Sequence, residues 1–337
     1  MRHTLVKYLL VAATLASLAA MYAVAFVVGA EPLPLAIVVV ALILAVTGAF
    51  VAVRASVAVP RPRVSDIAAA IAATALCQLL CRDMGIPALV TVSIVAIIIG
   101  MMTAPIGPLD ARSEGAAYVG AFVGLLAPSI TIPAGWVLLA GAAAGLLWSL
   151  IGLSVLPGIG GRLGLVAFMG SAFIYWLASA FGYEHQAVLV PEVRGIAHMA
   201  MIPIGGVAAV LTWLLIQRRG WDFALASGLT SLIVCGGVYL SGMGAVAPVL
   251  ATAWFGGTMV GLSTPARLPN AGWVMAAGLM YGAYMLHFEG PLTGHVGVIG
   301  ATGTIAVFIA MGALRVGAWI TPRAMRVVTR RAGSTPA

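Results

Sequence analysis

Apolar stretches long enough to cross a lipid bilayer follow one another along this chain from Leu5 to Ile320, separated only by short polar breaks. A membrane-spanning α-helix needs about 20 apolar residues to cross the hydrocarbon core. Backbone polar groups find no water there, so a spanning segment must satisfy them internally, as a helix does. The pattern therefore predicts an all-α integral membrane protein surrounded by the lipid bilayer.

The polar breaks divide the chain into about twelve transmembrane helices. Proline, glycine or charge marks the breaks, as at Pro157–Gly158. The predicted spans are 5–28, 33–54, 66–81, 86–103, 115–132, 134–156, 163–181, 196–217, 222–241, 244–263, 271–287 and 296–320. The first span is longer than the apolar region of a signal peptide, which runs to about 15 residues, and is interpreted as a retained helix.

Composition argues against several classes of protein. Charged residues make up 8% of the chain, against about 25% in a soluble domain. The net charge of +8 does not predict a nucleic-acid partner, because the basic residues stand singly or in small groups at helix ends. Motifs typical of hydrolases, metalloproteases and nucleotide-binding enzymes are missing, so no catalytic residue, metal or cofactor is predicted.

The basic residues also predict the orientation. With twelve spans and a cytoplasmic N-terminus, fifteen of the seventeen Lys and Arg residues fall on the cytoplasmic side, and only Arg82 and Arg194 fall outside. Cytoplasmic loops of membrane proteins carry such an excess. We therefore expect a protein of the cell inner membrane, with a bacterial composition and both termini in the cytoplasm.

A duplication is the most informative feature of the sequence. Nine residues of the fifth and sixth spans recur with the same identity 137 positions later, in the tenth and eleventh spans. These residues are Gly124, Leu125, Pro128, Gly135, Trp136, Val137, Ala140, Gly141 and Gly145. Coincident tryptophan, proline and spaced glycine in one register favour a true repeat over chance.

The repeat predicts the domain organisation. It relates spans 3–7 to spans 8–12, and two consecutive units of five helices must enter the membrane from opposite sides. The fold class is therefore two N-terminal helices plus an inverted 5+5 helix repeat, a plan found among transporters and channels. The predicted divisions are 1–60 (N-terminal helices), 61–195 (first repeat), 196–322 (second repeat) and 323–337 (basic tail).

The repeated helices carry glycines four residues apart, a spacing that lets two helix backbones approach closely. The glycine pairs are Gly120/Gly124, Gly141/Gly145, Gly257/Gly261 and Gly278/Gly282. One interpretation is helix packing alone, and the other is that these faces line a narrow solute path. The proline-bounded links that follow, 128–133 and 265–269, are either surface turns or half-helix ends inside the membrane.

The candidate substrate pathway comes from these repeated segments. Its residues are Gly124, Pro128, Thr258, Gly261, Thr264 and Asn270. Asn270 is the only asparagine of the chain, and its side chain suits either a helix cap or a hydrogen bond to a solute. None of the nine acidic residues falls near the middle of a predicted span. The sequence therefore offers no buried counter-charge for a charged substrate.

The leading functional hypothesis is channel-like or uniporter-like passage of a small, neutral or weakly polar solute. A coupled carrier usually buries a carboxylate for its ion, so an ion-coupled transporter or exporter is the alternative. A membrane subunit that scaffolds an envelope complex without transporting anything is the second alternative. The expected partners are the bilayer and a small-molecule solute, and association into a homo-oligomer is left open.

Leucine in place of Gly124 or Gly261 is expected to abolish solute flux, because its side chain would fill the predicted path. The measurement is stopped-flow light scattering on proteoliposomes that contain each folded variant. Normal flux through a folded variant would contradict the assignment of these glycines to the pathway.

Overall fold

The fold is that of a computed structural model, which describes residues 35–54, 61–103, 109–125, 132–152, 156–183, 199–288 and 297–320. Over these residues the chain forms eleven α-helices and no β-strand. The helices are α1 (Leu35–Arg54), α2 (Val64–Gln78), α3 (Ala88–Met102), α4 (Ala111–Gly124), α5 (Ala134–Ile151), α6 (Arg162–Ala180), α7 (Met201–Arg219), α8 (Phe223–Leu240), α9 (Val246–Gly261), α10 (Ala271–Phe288) and α11 (Val298–Ile320). A π-helical turn, Leu79–Asp83, continues α2.

The surface of the described helices suits a bilayer. Five helical segments are long and apolar enough to cross a membrane: α2 with its π-helical turn, α5, α7, α8 and α11. Helix α1 exposes large apolar side chains, among them Leu42, Val46 and Phe50, each more than half accessible. Such a face is unfavourable in water but not against lipid tails. An all-helical chain with this surface is consistent with a membrane helical protein.

Each of the eleven helices overlaps one predicted span, in the predicted order. The span 5–28 lies outside the described residues, so the total of twelve stays a prediction. The predicted division 1–60 is therefore described only in part, through α1. The tail 323–337 also lies outside the described residues.

The largest boundary difference concerns α4, which was predicted at 115–132 and runs Ala111–Gly124. Its start is earlier because Asp110 caps it: the carboxylate accepts the backbone N–H of Ser113 at 2.8 Å. That hydrogen bond, followed by the neighbouring Arg63, holds the pKa of the Asp110 carboxyl below its usual value. The helix ends early in a tight turn, in which the Leu125 N–H bonds to the Phe122 carbonyl at 3.2 Å.

Helix α2 lies against α4 and α5 at points of close backbone contact. A Cβ added at Gly120 would collide with the carbonyl oxygen of Ala70, and one at Gly141 would collide with the Thr74 hydroxyl. That hydroxyl lies 2.8 Å from the carbonyl oxygens of both Ala70 and Gly120, so it bonds across the helix contact. Gly124 and Gly141 meet α2 near the same residue, Thr74.

Helix α7 is held in the same way by α9 and α10. A Cβ at Gly257 or at Gly278 would meet the carbonyl oxygen of Gly205, and one at Gly282 would collide with that of Met201. All four predicted glycine pairs therefore face another helix at a distance that only glycine permits. This geometry is the helix-packing use of the spacing.

Helices α6 and α11 cross each other at their first turns, again through glycine. Gly161 and Gly297 precede these helices, 136 residues apart, and both have φ near +80°, which favours glycine. One turn on, Gly164 and Gly300 face each other: a Cβ on either would lie 2.6 Å from the Cα of the other. The two chains therefore touch backbone to backbone at this crossing.

The remaining contacts complete the arrangement. Within α2–α6, helix α2 packs on α3, α4 and α5, α4 packs on α3, α5 and α6, and α5 packs on α6. Within α7–α11 the corresponding contacts join α7 to α8, α9 and α10, α9 to α8, α10 and α11, and α10 to α11. Between the two sets, α3 packs on α8 and on α9, and α6 packs on α11. Helix α1 packs on α11, where Gly48 and Gly312 face the backbone of the opposite helix.

Alanine at Gly120 is expected to destabilise the fold by about 1–3 kcal/mol, because the added Cβ must displace the backbone of α2. Alanine at Gly237 is the matched control: nothing lies within 4 Å of its Cβ position, and the helix gains up to about 1 kcal/mol. Denaturation of purified protein by SDS in mixed micelles measures both changes. Equal stability of the two variants would contradict the close contact at Gly120.

Candidate functional site

The first turn of α4 carries three consecutive buried polar side chains, Arg112, Ser113 and Glu114. The first two face α2 and α5, whereas Glu114 faces α8. Two groups of polar residues result. We call Asp66, Arg112, Ser113 and Ser149 the ion-pair cluster, and we call Glu114 with Asp222 the carboxyl pair.

The ion-pair cluster binds α2, α4 and α5 together. The Arg112 Nε lies 2.7 Å from the Asp66 carboxylate, and both side chains are less than one-tenth exposed. Ser149 donates to the same carboxylate at 2.8 Å, and Ser113 donates to it at 3.1 Å. A buried charge pair is tolerated only when hydrogen bonds of this kind complete it.

Backbone carbonyl groups near the ion-pair cluster also accept hydrogen bonds from it or from its neighbours. Arg112 donates to the carbonyl oxygens of Arg61 and Ser149 at 2.8 and 2.7 Å, and the Trp148 indole donates to the Arg112 carbonyl at 2.8 Å. Trp148 lies flat against Gly115, where a Cβ would strike its ring. Both charges of the cluster are thus committed to joining helices, which is a structural role.

The carboxyl pair joins α4 to α8. The Glu114 carboxyl interacts with the Asp222 carboxyl and with the backbone amide of Ala224. Glu114 is 1% exposed, and its Oε1 finds no hydrogen-bond partner among the described residues. Asp222 caps α8, since its Oδ1 accepts the N–H groups of Ala224 and Leu225 at 2.9 and 3.1 Å. Glu114 is therefore the less satisfied of the two carboxyl groups.

A row of buried hydroxyls begins one helical turn beyond Glu114. The Tyr118 hydroxyl lies 3.0 Å from that of Ser227, which lies 2.9 Å from that of Thr258. Thr258 donates its single hydrogen to the Phe255 carbonyl at 2.7 Å, so Ser227 donates to Thr258 and Tyr118 donates to Ser227. The row links α4, α8 and α9, and all three hydroxyl residues are fully buried.

Aromatic rings enclose the hydroxyl row. Tyr118 stacks on Phe122 with ring centroids 5.3 Å apart, and Phe223 lies 6.2 Å from Tyr118 on another side. Phe255 meets Phe122 edge-on at 5.6 Å. The hydroxyls thus lie in an apolar surrounding, where hydrogen bonds are strong and an unpaired polar group is costly.

Three of the ionisable residues have no polar counterpart in the other half of the predicted duplication. At the register of 136 or 137 residues, Asp66 corresponds to Ile202, Arg112 to Val249, and Glu114 to Ala251. Asp66, Arg112 and Glu114 therefore belong to one set of helices, and the matching positions of the other set are apolar.

Two of the predicted pathway residues, Gly124 and Gly261, pack on neighbouring helices. Gly124 contacts Thr74 and Cys77 of α2, and Gly261 contacts Ala209 and Thr212 of α7. A leucine at either position would displace a helix, so loss of flux in such a variant does not by itself identify a path. Pro128 lies outside the described residues.

The structure places the other three predicted residues apart from one another. Thr258 belongs to the hydroxyl row. The Thr264 backbone N–H bonds to the Gly158 carbonyl at 2.9 Å. Asn270 is exposed and caps α10, accepting the Trp273 N–H at 3.2 Å. It borders an open depression of about 600 Å³ that is also lined by Trp213 of α7.

Sequence reasoning missed the ion-pair cluster and the carboxyl pair. The expectation of no buried counter-charge is wrong, because Asp66 is 0% exposed and Arg112 is 8% exposed. Their positions near helix ends concealed them, since a charge there usually reaches water. A usable signal was the Glu114-x-x-x-Tyr118 spacing, which aligns two polar side chains on one helix face.

The arrangement suits the binding and release of a proton or another small ion at the contact between α4 and α8. Two adjacent carboxyl groups respond strongly to protonation, because like charges at short range oppose each other's ionisation. Among the described residues, no three His, Cys, Asp or Glu side chains group as metal ligands. Comparisons with protein-family models, curated proteins and solved structures find no match to this chain.

Asparagine at Asp66 is expected to destabilise the protein by about 3–5 kcal/mol, because the buried Arg112 loses its counter-charge. Glutamine at Arg63 is the matched control, since its ion pair with Asp110 is more than half exposed and contributes less than about 1 kcal/mol. Unfolding by SDS compares the two variants. Similar losses for the exposed and the buried pair would contradict the structural role of the cluster.

Proposed function

We propose that this chain is a multi-pass transport protein of the inner membrane, in which helices α2–α6 and α7–α11 form an inverted repeat. The symmetric helix contacts support the repeat. Each of the seven packed helix pairs within α2–α6 has a counterpart within α7–α11. Two of the contacts between the sets, α3 with α8 and α6 with α11, join helices that correspond to each other.

The glycine crossing of α6 and α11 supports the same symmetry. A two-fold axis would exchange Gly161 with Gly297 and Gly164 with Gly300. The contact of Gly161 with Gly300 would then become that of Gly164 with Gly297, and both occur. Because each unit has five helices, the axis lies in the membrane plane and the units are inverted. Helix α1 and the predicted span 5–28 stand outside the repeat.

The transport mode that the geometry favours is an ion-coupled secondary carrier. The carrying observation is the carboxyl pair, in which one member comes from each half of the repeat. Buried ionisable groups are expensive in membranes and commonly mark ion or proton sites. A passive channel has no use for such a pair at the contact of its halves. The preference for a passive path rested on the expected absence of buried carboxylates.

Passage of a neutral solute without coupling stays the second candidate. Its support is the set of glycine-rich ends of α4 and α9, which meet α2 and α7 near the middle of those helices. Helices that are interrupted near the middle of the membrane typically form the solute sites of inverted-repeat transporters. The solute in either mode is a small molecule, and no enzymatic activity is proposed.

The test is reconstitution of the full chain in proteoliposomes, challenged with glycerol, urea and neutral amino acids. Entry is measured by stopped-flow light scattering and radiolabel uptake, with and without imposed proton and sodium gradients. We expect at least one solute to accumulate only under a proton gradient. Protein-free liposomes and the surface variant Asp83→Asn serve as controls.

The outcomes separate the modes of transport. Rapid entry that ignores all gradients would replace the carrier with a channel. Uptake that follows the sodium gradient alone would assign another coupling ion. No uptake of any probe by folded protein would contradict the transport proposal and favour a scaffolding subunit.

A further inference from the structure

The carboxyl pair is more than an acidic cluster, because the two carboxyl groups interact and one of them is buried and incompletely bonded. Glu114 Oε1 is buried without a partner among the described residues, in a side chain 1% exposed. Its neighbour Asp222 is engaged by two backbone N–H groups. A carboxylate oxygen carries no hydrogen, so two carboxyl groups can bond to each other only through a proton held between them.

The position of that proton follows from the bonding of each group. Asp222 lies at the N-terminus of α8, where two amide donors and the helix dipole stabilise a negative charge. Glu114 receives no comparable support at its Oε1. This difference in bonding favours Glu114 as the group that would carry a shared proton and donate it to Asp222.

We propose that Glu114 and Asp222 form a proton-binding site whose occupancy controls the contact between α4 and α8. This proposal deepens the transport function and rests on it for its biological purpose. When the proton is bound, a hydrogen bond joins the two helices. When the proton leaves to water, two neighbouring negative charges remain, that of Glu114 buried, and their repulsion separates the helices.

The groups around the pair do not neutralise it in another way. On α4 itself lie Arg112, which is paired with Asp66 of α2, and Tyr118, which belongs to the hydroxyl row. Helix α2 also presents Cys77, and α6 presents Arg162, whose guanidinium lies 5.2 Å from the Trp148 ring centroid. Helix α7, which packs on α8, ends with Arg218 and Arg219, and both of these side chains are exposed. Helix α8 itself carries Cys235 and Tyr239 towards its other end, and α3, α5 and α9 carry no titratable side chain over their described lengths.

Close packing leaves the pair little room to rearrange. On the α3 side, a Cβ at Gly100 would lie 3.1 Å from Asp222 Oδ1 and 2.8 Å from the Leu225 nitrogen. On the α9 side, Thr258 fixes Ser227 one turn beyond Asp222 in α8. A change in the charge of the carboxyl pair must therefore be accommodated by movement of a helix.

The test is infrared difference spectroscopy of the full-length protein in lipid nanodiscs at neutral pH, with H₂O exchanged for D₂O. A protonated carboxyl gives a C=O stretching band that ionised carboxylates lack and that shifts on deuteration. We expect such a band in the unmodified protein and its loss in Glu114→Gln. The band should shift in Asp222→Asn, which alters the acceptor of its hydrogen bond. Asp83→Asn, an amide substitution at an exposed carboxylate, should leave the band unchanged.

Contrary outcomes are equally specific. A protein without the band, or a band that persists unchanged in both Glu114→Gln and Asp222→Asn, would overturn the proton site. If Glu114→Gln does not fold, the Asp222→Asn spectrum decides alone. Stabilisation of the protein by sodium in place of the band would assign the pair to a metal cation and reject the proton.

The experiment also separates this proposal from the proposed function. Loss of the band in Glu114→Gln, together with no solute uptake by proteoliposomes, would keep the proton site and remove the carrier. Proton-driven uptake that survives in Glu114→Gln would keep the carrier and remove the pair as its coupling site. Loss of both the band and the proton-driven uptake in that variant would support both proposals.

Discussion

Close backbone contact at glycine is the interaction on which the described fold depends. Lipid tails are as apolar as leucine, so membrane helices gain little from burying apolar side chains against each other. They gain instead from van der Waals contact, which improves as the backbones approach. Glycines of α4 and α5 meet α2, glycines of α9 and α10 meet α7, and glycines join α6 to α11. Most of the described helices are fixed relative to a neighbour by such a contact.

Charged side chains position the start of α4, in addition to the glycine contacts that fix the helix further along. This helix is poor in large apolar side chains at its start, and it is positioned there by two charged contacts with different partners. Arg112 holds it to α2 and α5 through a buried ion pair, whereas at the proposed proton site Glu114 holds it to α8 through Asp222. The first contact is permanent because both charges are satisfied. The second depends on a proton and is therefore reversible.

The helices could be predicted from the sequence because the length of an apolar stretch depends only on consecutive residues. The glycine spacing also predicted close helix contacts, although it could not identify the helix that each glycine face contacts. The ion-pair cluster could not be foreseen, since Asp66 and Arg112 are far apart in sequence and only the packing of α2 on α4 brings them together. The start of α4 was predicted too late, because the charged residues from Asp110 onward resemble a loop and Asp110 was not recognised as a helix cap. The repeat of Gly158, Gly161 and Gly164 as Gly294, Gly297 and Gly300 was present in the sequence and predicts the crossing of α6 and α11.

The unequal distribution of buried charged side chains between the two halves of the proposed repeat has a consequence for energetics. In a carrier with two identical inverted halves, the halves could exchange conformations, and the inward-open and outward-open states would then be related by the two-fold axis and equal in free energy. In the proposed repeat, Asp66, Arg112 and Glu114 correspond to Ile202, Val249 and Ala251, so two such states of a carrier built from this chain would be unequal. Because the inequality would include a titratable group, its size would vary with pH. In the proposed carrier, a bias between the two sides of the membrane would thus follow from the departure of the sequence from its own symmetry.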